Sequence, residues 1–160
     1  MKLTVGELRE QAGEALAVCE LQDVRLLSAS AHSSNPVRPG PFVVNAEIQV
    51  KGGENREEGT IQSFSRYRLT GVLEADETAE AWAATVEHVA TYRKSSDLEL
   101  TQDQLNSFAL VVGVMNIHPY ARESVQSLVS RMGYPPFTMD LLHPIAARPD
   151  EDEVGIEPDI

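Results

Sequence analysis

Four histidines and one cysteine are the side chains that metal or nucleophilic chemistry would use first in this sequence. They are His32, His88, His118, His143 and Cys19. A zinc site needs paired ligands at short spacing, as in HExxH, and a nucleophilic cysteine needs a motif of its own. Neither pattern occurs here, so the sequence predicts a protein that is not an enzyme and holds no metal or cofactor.

The remaining candidate reactive groups have structural explanations. His118 precedes Pro119 and fits a helix start, while Cys19 lies on the apolar face of a predicted helix, where burial is the ordinary role. Arg122 and Glu123 can form a partly buried ion pair at a helix start or an interface. No GxSxG motif occurs, and the two glycines at 52–53 do not continue into a phosphate loop. We therefore expect this protein to act by binding other molecules through its surface and not by a chemical reaction.

Composition narrows the partner classes. The chain has 160 residues, 42% of them apolar, which is enough for one domain with a core. Its net charge of −12 argues against nucleic acid and anionic membranes as partners, and it leaves basic or hydrophobic partners or plain solubility open. Glu7 stands where a secretory signal would be apolar, and the longest apolar run, 108–115, is too short to cross a bilayer. We expect a cytoplasmic protein.

Hydropathy patterns predict one helix and then four strands. A helical stripe covers 4–20, and period-two alternation follows over 21–32, 42–50, 60–73 and 82–93. Alanines make the last segment resemble a helix as well, but its period of two favours a strand. The simplest connection of these strands is an antiparallel meander.

A capping box of Thr101 and Gln104 predicts the start of a second helix, which we place over 105–117. Apolar side chains occupy nearly all sides of this segment, and a domain of this size cannot bury them all. We therefore predict that one side meets another subunit. The residues on that side are Leu110, Val111, Val114 and Ile117.

The segment 116–144 predicts a third helix and an extended exit. Asn116 can cap, Pro119 fits the first turn, and Gly133 permits the backbone conformation of a helix end. Two prolines then forbid continuation, and 137–141 alternates as a short strand would.

This segment resembles the SecB family of export chaperones. The matching pieces are His118-Pro119-Tyr120-Ala121-Arg122-Glu123, then Val129-Ser130-Arg131, and Tyr134-Pro135 with the extended run to Pro144. The resemblance implies an α+β fold, with a four-stranded antiparallel sheet, helices on one face, and a tetramer formed as a dimer of dimers. It further implies an ATP-independent holdase that keeps unfolded preproteins competent for export, with a SecA-type translocation motor as a further partner.

Two departures favour another branch of the same family. This chain has an extra helix before the first strand, and no amphipathic helix follows the extended exit. Both features are similar to SecB-like chaperones of toxin–antitoxin systems, which hold one antitoxin. A non-chaperone adaptor that binds one partner is the third reading. We expect a single domain over 1–147 and an acidic, disordered tail over 148–160, either solvated or bound to a basic surface.

A holdase binds extended chains in apolar grooves, with exposed strand edges adding main-chain pairing. Large apolar side chains on the strands and the exit are therefore the candidate client-binding residues. They are Val24, Leu26, Phe42, Val44, Trp82, Phe137, Met139 and Leu141.

Overall fold

The computed structural model describes residues 2–135, 137–140 and 153–155. Within them the chain forms six strands, three α-helices and one π-helical turn. The elements are β1 (Lys2–Thr4), α1 (Val5–Leu16), β2 (Cys19–Ser33), β3 (Phe42–Asn55), β4 (Thr60–Leu73), β5 (Asp76–Lys94), α2 (Gln102–Phe108), a π-helical turn (Ala109–Gly113), α3 (Val114–Arg131) and β6 (Glu153–Gly155).

The main sheet has four antiparallel strands in the order β2-β5-β4-β3. This confirms the predicted sheet and the four predicted strands. The predicted meander holds only for β3, β4 and β5, because β2 pairs with β5 and not with β3. The segment 34–41 carries the chain across to the far edge. A strand pattern shows where strands lie but not which neighbours they choose, so this part of the topology prediction was wrong.

Helices cover one face of this sheet, and the core lies between the two layers. The alternation of β4 and β5 decides which side chains enter it. Tyr67 and Leu69 of β4 and Val86 of β5 are fully buried beneath helix residues such as Ile117 and Val125. The α+β architecture with helices on one face is therefore confirmed.

The extra N-terminal helix is also present, as α1. A capping box begins it: the Thr4 hydroxyl oxygen accepts from the Glu7 N–H, and the Glu7 carboxylate accepts from the Thr4 N–H. Val5, Leu8 and Ala12 are buried on one side of the helix, which packs against α2. The apolar period of 4–20 thus predicts a helix here, but the helix ends at Leu16. Cys19, which we predicted on its apolar face, is instead the first residue of β2.

The two C-terminal helices join without a break, contrary to the prediction of separate helices. Asn116 lies inside α3 and does not cap it, and Pro119 also lies within α3. The π-helical turn lies between α2 and α3. At its end the Val114 N–H donates to the carbonyl of Ala109, five residues earlier. Pro119 is exposed, and its missing N–H leaves the carbonyl four residues earlier without its helical partner.

The C-terminal expectations fare differently. Residues 137–140 form no strand, so the predicted short strand is not seen over its described part, and Leu141 lies outside the described residues. Residues 153–155 pair with β1, which places this piece of the acidic tail in a two-stranded sheet. In the part of the chain that the structure describes, no helix is both long and apolar enough to cross a membrane.

Candidate functional site

An apolar pocket opens between β3, β5 and the end of α3. Its volume is about 160 Å³. An apolar protein cavity of ~150 Å³ accepts a benzene molecule, so this pocket has room for one large apolar side chain. The residues that line it are Phe42, Val44, Trp82, Val129, Tyr134, Pro135 and Phe137.

Trp82 forms the buried part of this pocket. The β-strand pleat directs it toward the helical face, and only 2% of it is exposed. Gly71 stands opposite it on β4, and a Cβ there would lie 2.2 Å from the indole Nε1. The absence of a side chain at Gly71 therefore lets the Trp82 indole lie across the neighbouring strand.

Tyr134 forms a second wall, directly after α3. Gly133 precedes it with φ +87°, a conformation that ends the helix and turns the chain. The Tyr134 hydroxyl donates to the Ala81 carbonyl at 2.8 Å and lies 3.1 Å from the hydroxyl oxygens of Ser33 and Ser34. These contacts fix the ring, because its polar end is satisfied between the end of β2 and the start of β5.

The rings of the pocket pack at angles to one another. Phe42 and Tyr134 meet edge to face with centroids 5.5 Å apart, and Trp82 and Phe137 are 6.0 Å apart at an angle of 50°. Tilted rings leave space between them that parallel stacking would close. The pocket is therefore built from rigid side chains.

His118 connects α3 to the chain that leaves it. Its ring is buried, with Nδ1 3.2 Å from the Tyr67 hydroxyl oxygen and Nε2 2.9 Å from the Asp140 carbonyl oxygen. Burial raises the pKa of the Tyr67 hydroxyl far above its ordinary value, so this group stays protonated and can donate. The sequence suggested only a helix-start role for His118.

Four of the eight predicted client-binding residues come together in this pocket. They are Phe42, Val44, Trp82 and Phe137. Val24 is half-buried and Leu26 is 49% exposed, both on the edge strand β2, whereas Met139 is buried in the core. Leu141 lies outside the described residues. Val129, Tyr134 and Pro135 were not among the predicted site residues, although the aromatic-proline pair was noted as a sequence signature.

The predicted interface residues divide into two groups. Ile117 is completely buried and Val114 nearly so, both against the chain's own core, so their side chains are not free to meet another subunit. Leu110 and Val111 lie in the π-helical turn and are half-buried. A π turn takes one residue more than an α turn, which shifts the apolar face of the helix downstream. This shift explains why Val114 and Ile117 were assigned to the wrong side.

The edge strand β2 carries exposed apolar side chains outside the pocket. Leu21, Leu26 and Leu27 are each nearly half exposed along it. Within the described residues β2 pairs only with β5, so its other side offers unpaired backbone groups. Its register with β5 is irregular between Leu21 and Asp23 and between Leu26 and Ser28, and such irregularities bend a strand. This surface is therefore an open edge and not an enclosed pocket.

The titratable pair of His32 and Glu80, on β2 and β5, does not line the pocket. His32 Nε2 and Glu80 Oε1 lie 2.6 Å apart, and the His32 side chain is largely in solvent. None of the pocket-lining residues carries a carboxylate or a basic group. Across the described part of the chain, no three His, Cys, Asp or Glu side chains lie close enough to hold a metal ion.

Comparison with known proteins places this geometry in context. No family model matches the chain. The SecB-like chaperones MT2006 and Rv1957 of Mycobacterium tuberculosis are 22% and 23% identical to it over 153 residues, covering 85% of this chain and 84% of each relative.

A solved structure shares the fold. It shows the M. tuberculosis Rv1957 SecB-like chaperone in complex with a ChAD peptide from the Rv1956 HigA1 antitoxin. The match has a TM-score of 0.74 at 20% identity and covers 87% of this chain and 98% of that one. The relatives and the shared fold confirm the resemblance that the 118–135 motif predicts: the chain is similar to SecB-like chaperones in sequence and shares the fold of one of them.

Proposed function

We propose that this protein is an ATP-independent chaperone that binds extended, non-native polypeptide segments through the aromatic pocket. The observation that carries the proposal is a pocket of about 160 Å³ lined by rigid apolar side chains without an ionised group. Such a site gains free energy from burial alone, at ~25 cal/mol per Å² of apolar surface, and needs no directional chemistry. It suits clients that share apolar side chains but no fixed sequence.

The client class we favour is an antitoxin. The solved SecB-like relative binds an antitoxin peptide, and the N-terminal helix α1 is the feature that separates this chain from the export branch. A general role in protein export, with unfolded preproteins as clients and a SecA-type motor as receiver, is the second candidate. The motif shared with the export family over 118–135 favours it.

We further propose that the subunits assemble in the cytoplasm into a tetramer, as a dimer of dimers. The exposed apolar row on β2 and its unpaired edge suit pairing with the same strand of a second copy. Leu110 and Val111, half-buried on the outer side of the π-helical turn, suit a contact between helices.

The test is binding and aggregation suppression by the full chain. A denatured, aggregation-prone protein is diluted with and without this protein, and scattering is followed beside its own molar mass. We expect suppression at near-stoichiometric amounts, together with binding of a phenylalanine-containing peptide. Truncating Phe137 to alanine should weaken peptide binding about ten-fold, the equivalent of ~1.4 kcal/mol.

The matched control is Leu27→Ala, which removes an exposed apolar side chain from β2, away from the pocket. Equal weakening by both variants would mean that binding does not use the pocket. Failure to suppress aggregation of unrelated clients, with binding of an antitoxin segment retained, would select the dedicated chaperone. Binding of a single folded partner and of no denatured chain would select the adaptor instead.

A further inference from the structure

The chain after α3 is fixed at two points by polar contacts. We call the described residues from Gly133 to Asp140 the exit arm. Tyr134 holds its beginning, through the hydrogen bond to the Ala81 carbonyl. At the far end, the Asp140 carbonyl is bound by His118, a residue of the preceding helix. Phe137, a wall of the pocket, lies between these two points.

The contacts of His118 define the tautomer of its neutral ring. A backbone carbonyl only accepts, so Nε2 must carry the hydrogen that it donates to Asp140. In the neutral ring Nδ1 is then an acceptor, and it receives the hydrogen of the Tyr67 hydroxyl. Both ring nitrogens are therefore used, and the tautomer is set by partners on two different elements.

We propose that His118 is a positioning residue that clasps the exit arm against α3 and so holds Phe137 at the wall of the pocket. The consequence for client affinity rests on the proposed function, whereas the clasp itself is a property of the fold. Burial of the ring favours this role, because the bond to Asp140 is partly shielded from water, and a shielded hydrogen bond is stronger than an exposed one.

The exit arm is not held in place by the backbone hydrogen bonds of a strand or a helix. No described residue between 133 and 140 belongs to a strand or a helix, so the arm depends on side-chain contacts and on burial of Met139. Met139 and Tyr134 remain when His118 is replaced. Loss of the clasp should therefore loosen the arm around Phe137 without unfolding the core.

The test uses two variants of the full chain. Replacing His118 alone would leave the fully buried Tyr67 hydroxyl without an acceptor, so the informative variant is the double replacement Tyr67→Phe with His118→Phe. It removes both partners and keeps aromatic rings in the core. The matched control is Tyr67→Phe alone, which leaves the bond from His118 to Asp140 intact.

Trp82 is the chain's one tryptophan and contacts Phe137, so its fluorescence reports the position of the arm. We expect the double variant to shift its emission to longer wavelength, because water gains access to the indole. Tyr67→Phe should keep the native emission. Peptide affinity of the double variant should fall about three- to ten-fold, the range for one neutral hydrogen bond.

Two outcomes of the emission measurement would overturn the clasp. One is native emission in the double variant, and the other is an equal shift in Tyr67→Phe, which would assign the change to the core. A shift with unchanged peptide affinity would overturn the role of the arm in binding. If the unaltered protein binds no peptide, the proposed function fails, and the emission comparison still decides whether His118 holds the arm.

Discussion

The aromatic pocket and the edge strand β2 are two apolar surfaces of one domain with different shapes. The pocket is concave, its rings meet at fixed angles, and the Tyr134 hydroxyl is fully engaged. The strand is an open edge with two irregularities in its register, and it shows Leu21, Leu26 and Leu27 beside a row of unpaired backbone groups. Both regions leave apolar surface in contact with water, but only the pocket surrounds that surface with side chains on several sides.

This difference separates what each surface can bind. A concave pocket selects by side-chain size and tolerates any backbone that can reach it. An open edge selects by backbone pairing and suits a second strand of any sequence with matching apolar side chains. On this ground we propose that clients bind in the pocket and that a second copy of the chain pairs with β2.

The largest difference between the two regions is expected when one large side chain is truncated in each of them. Trp82→Ala should lower the free energy of unfolding by about 3–5 kcal/mol, since Trp82 is almost fully buried and leaves a cavity. Leu26→Ala, at a half-exposed position of β2, should change it by less than about 1 kcal/mol. Urea unfolding of both variants measures the two values.

Similar losses in the two variants would contradict the assignment of Trp82 to the packed base of the pocket. They would also show that β2 is buried in solution to the same degree, as a tight subunit contact would make it. Repeating the Leu26→Ala measurement over a range of protein concentrations separates these explanations, because only an assembly changes stability with concentration.

A substitution on β2 tests whether this strand mediates the association of subunits. Leu26→Glu places a carboxylate in the apolar row of β2, and burying it against another copy is unfavourable. We expect subunit association to weaken at least ten-fold, or by ~1.4 kcal/mol, with peptide binding retained. Multi-angle scattering gives the molar mass, and Phe137→Ala is the control that should keep it. An unchanged mass for Leu26→Glu would remove β2 from the interface.

Strand positions were predictable because the period of two reflects one buried face. The predicted segment 60–73 coincides with β4, and the segment beginning at Phe42 coincides with the start of β3. The order of the strands was not predictable in the same way. It depends on which edge accepts β2 after the crossing at 34–41, and nothing in the alternation of a strand encodes its neighbour.

The helical region shows a different limit. Asn116 and Pro119 have the right types for a helix start, yet the chain was already helical when it reached them. The π-helical turn at 109–113 then displaced the apolar face, which no regular period predicts. Local signals for a helix start are thus overridden when packing against the sheet already maintains the helix.

Half of the predicted site residues line the pocket because large apolar side chains on strands are the natural walls of a groove. Tyr134 was missed as a wall, although its place after Gly133 in the exit motif marked it as unusual. His118 could not have been identified as a clasp. Its acceptor is the backbone carbonyl of Asp140, and because every residue has such a carbonyl, the residue type does not indicate this contact.

The smallest expected effect concerns how the two regions respond to acid. Glu87 on β5 accepts hydrogen bonds from Ser28 of β2 and from Arg66 of β4, and these bonds hold the pKa of its carboxyl below the ordinary 4.5. The ionised group therefore adds stability above its unfolded pKa, and this contribution is lost as the pH falls through the folded value. The residues that line the pocket carry no carboxylate, so none of them contributes a dependence of this kind.

Acid should consequently loosen the contact between β2 and β5. We expect Glu87→Gln to remove less than about 1 kcal/mol of the unfolding free energy near neutral pH, and almost nothing near pH ~3. Glu47→Gln is the matched control, because it alters a carboxylate on the opposite edge strand, whose side chain bonds only to nearby Gln49. Urea unfolding at the two pH values gives the difference, and Trp82 emission follows the pocket in the same samples. A Trp82 shift that appears together with the loss at Glu87 would mean that the two regions are coupled, and that the contact between β2 and β5 helps to shape the client site.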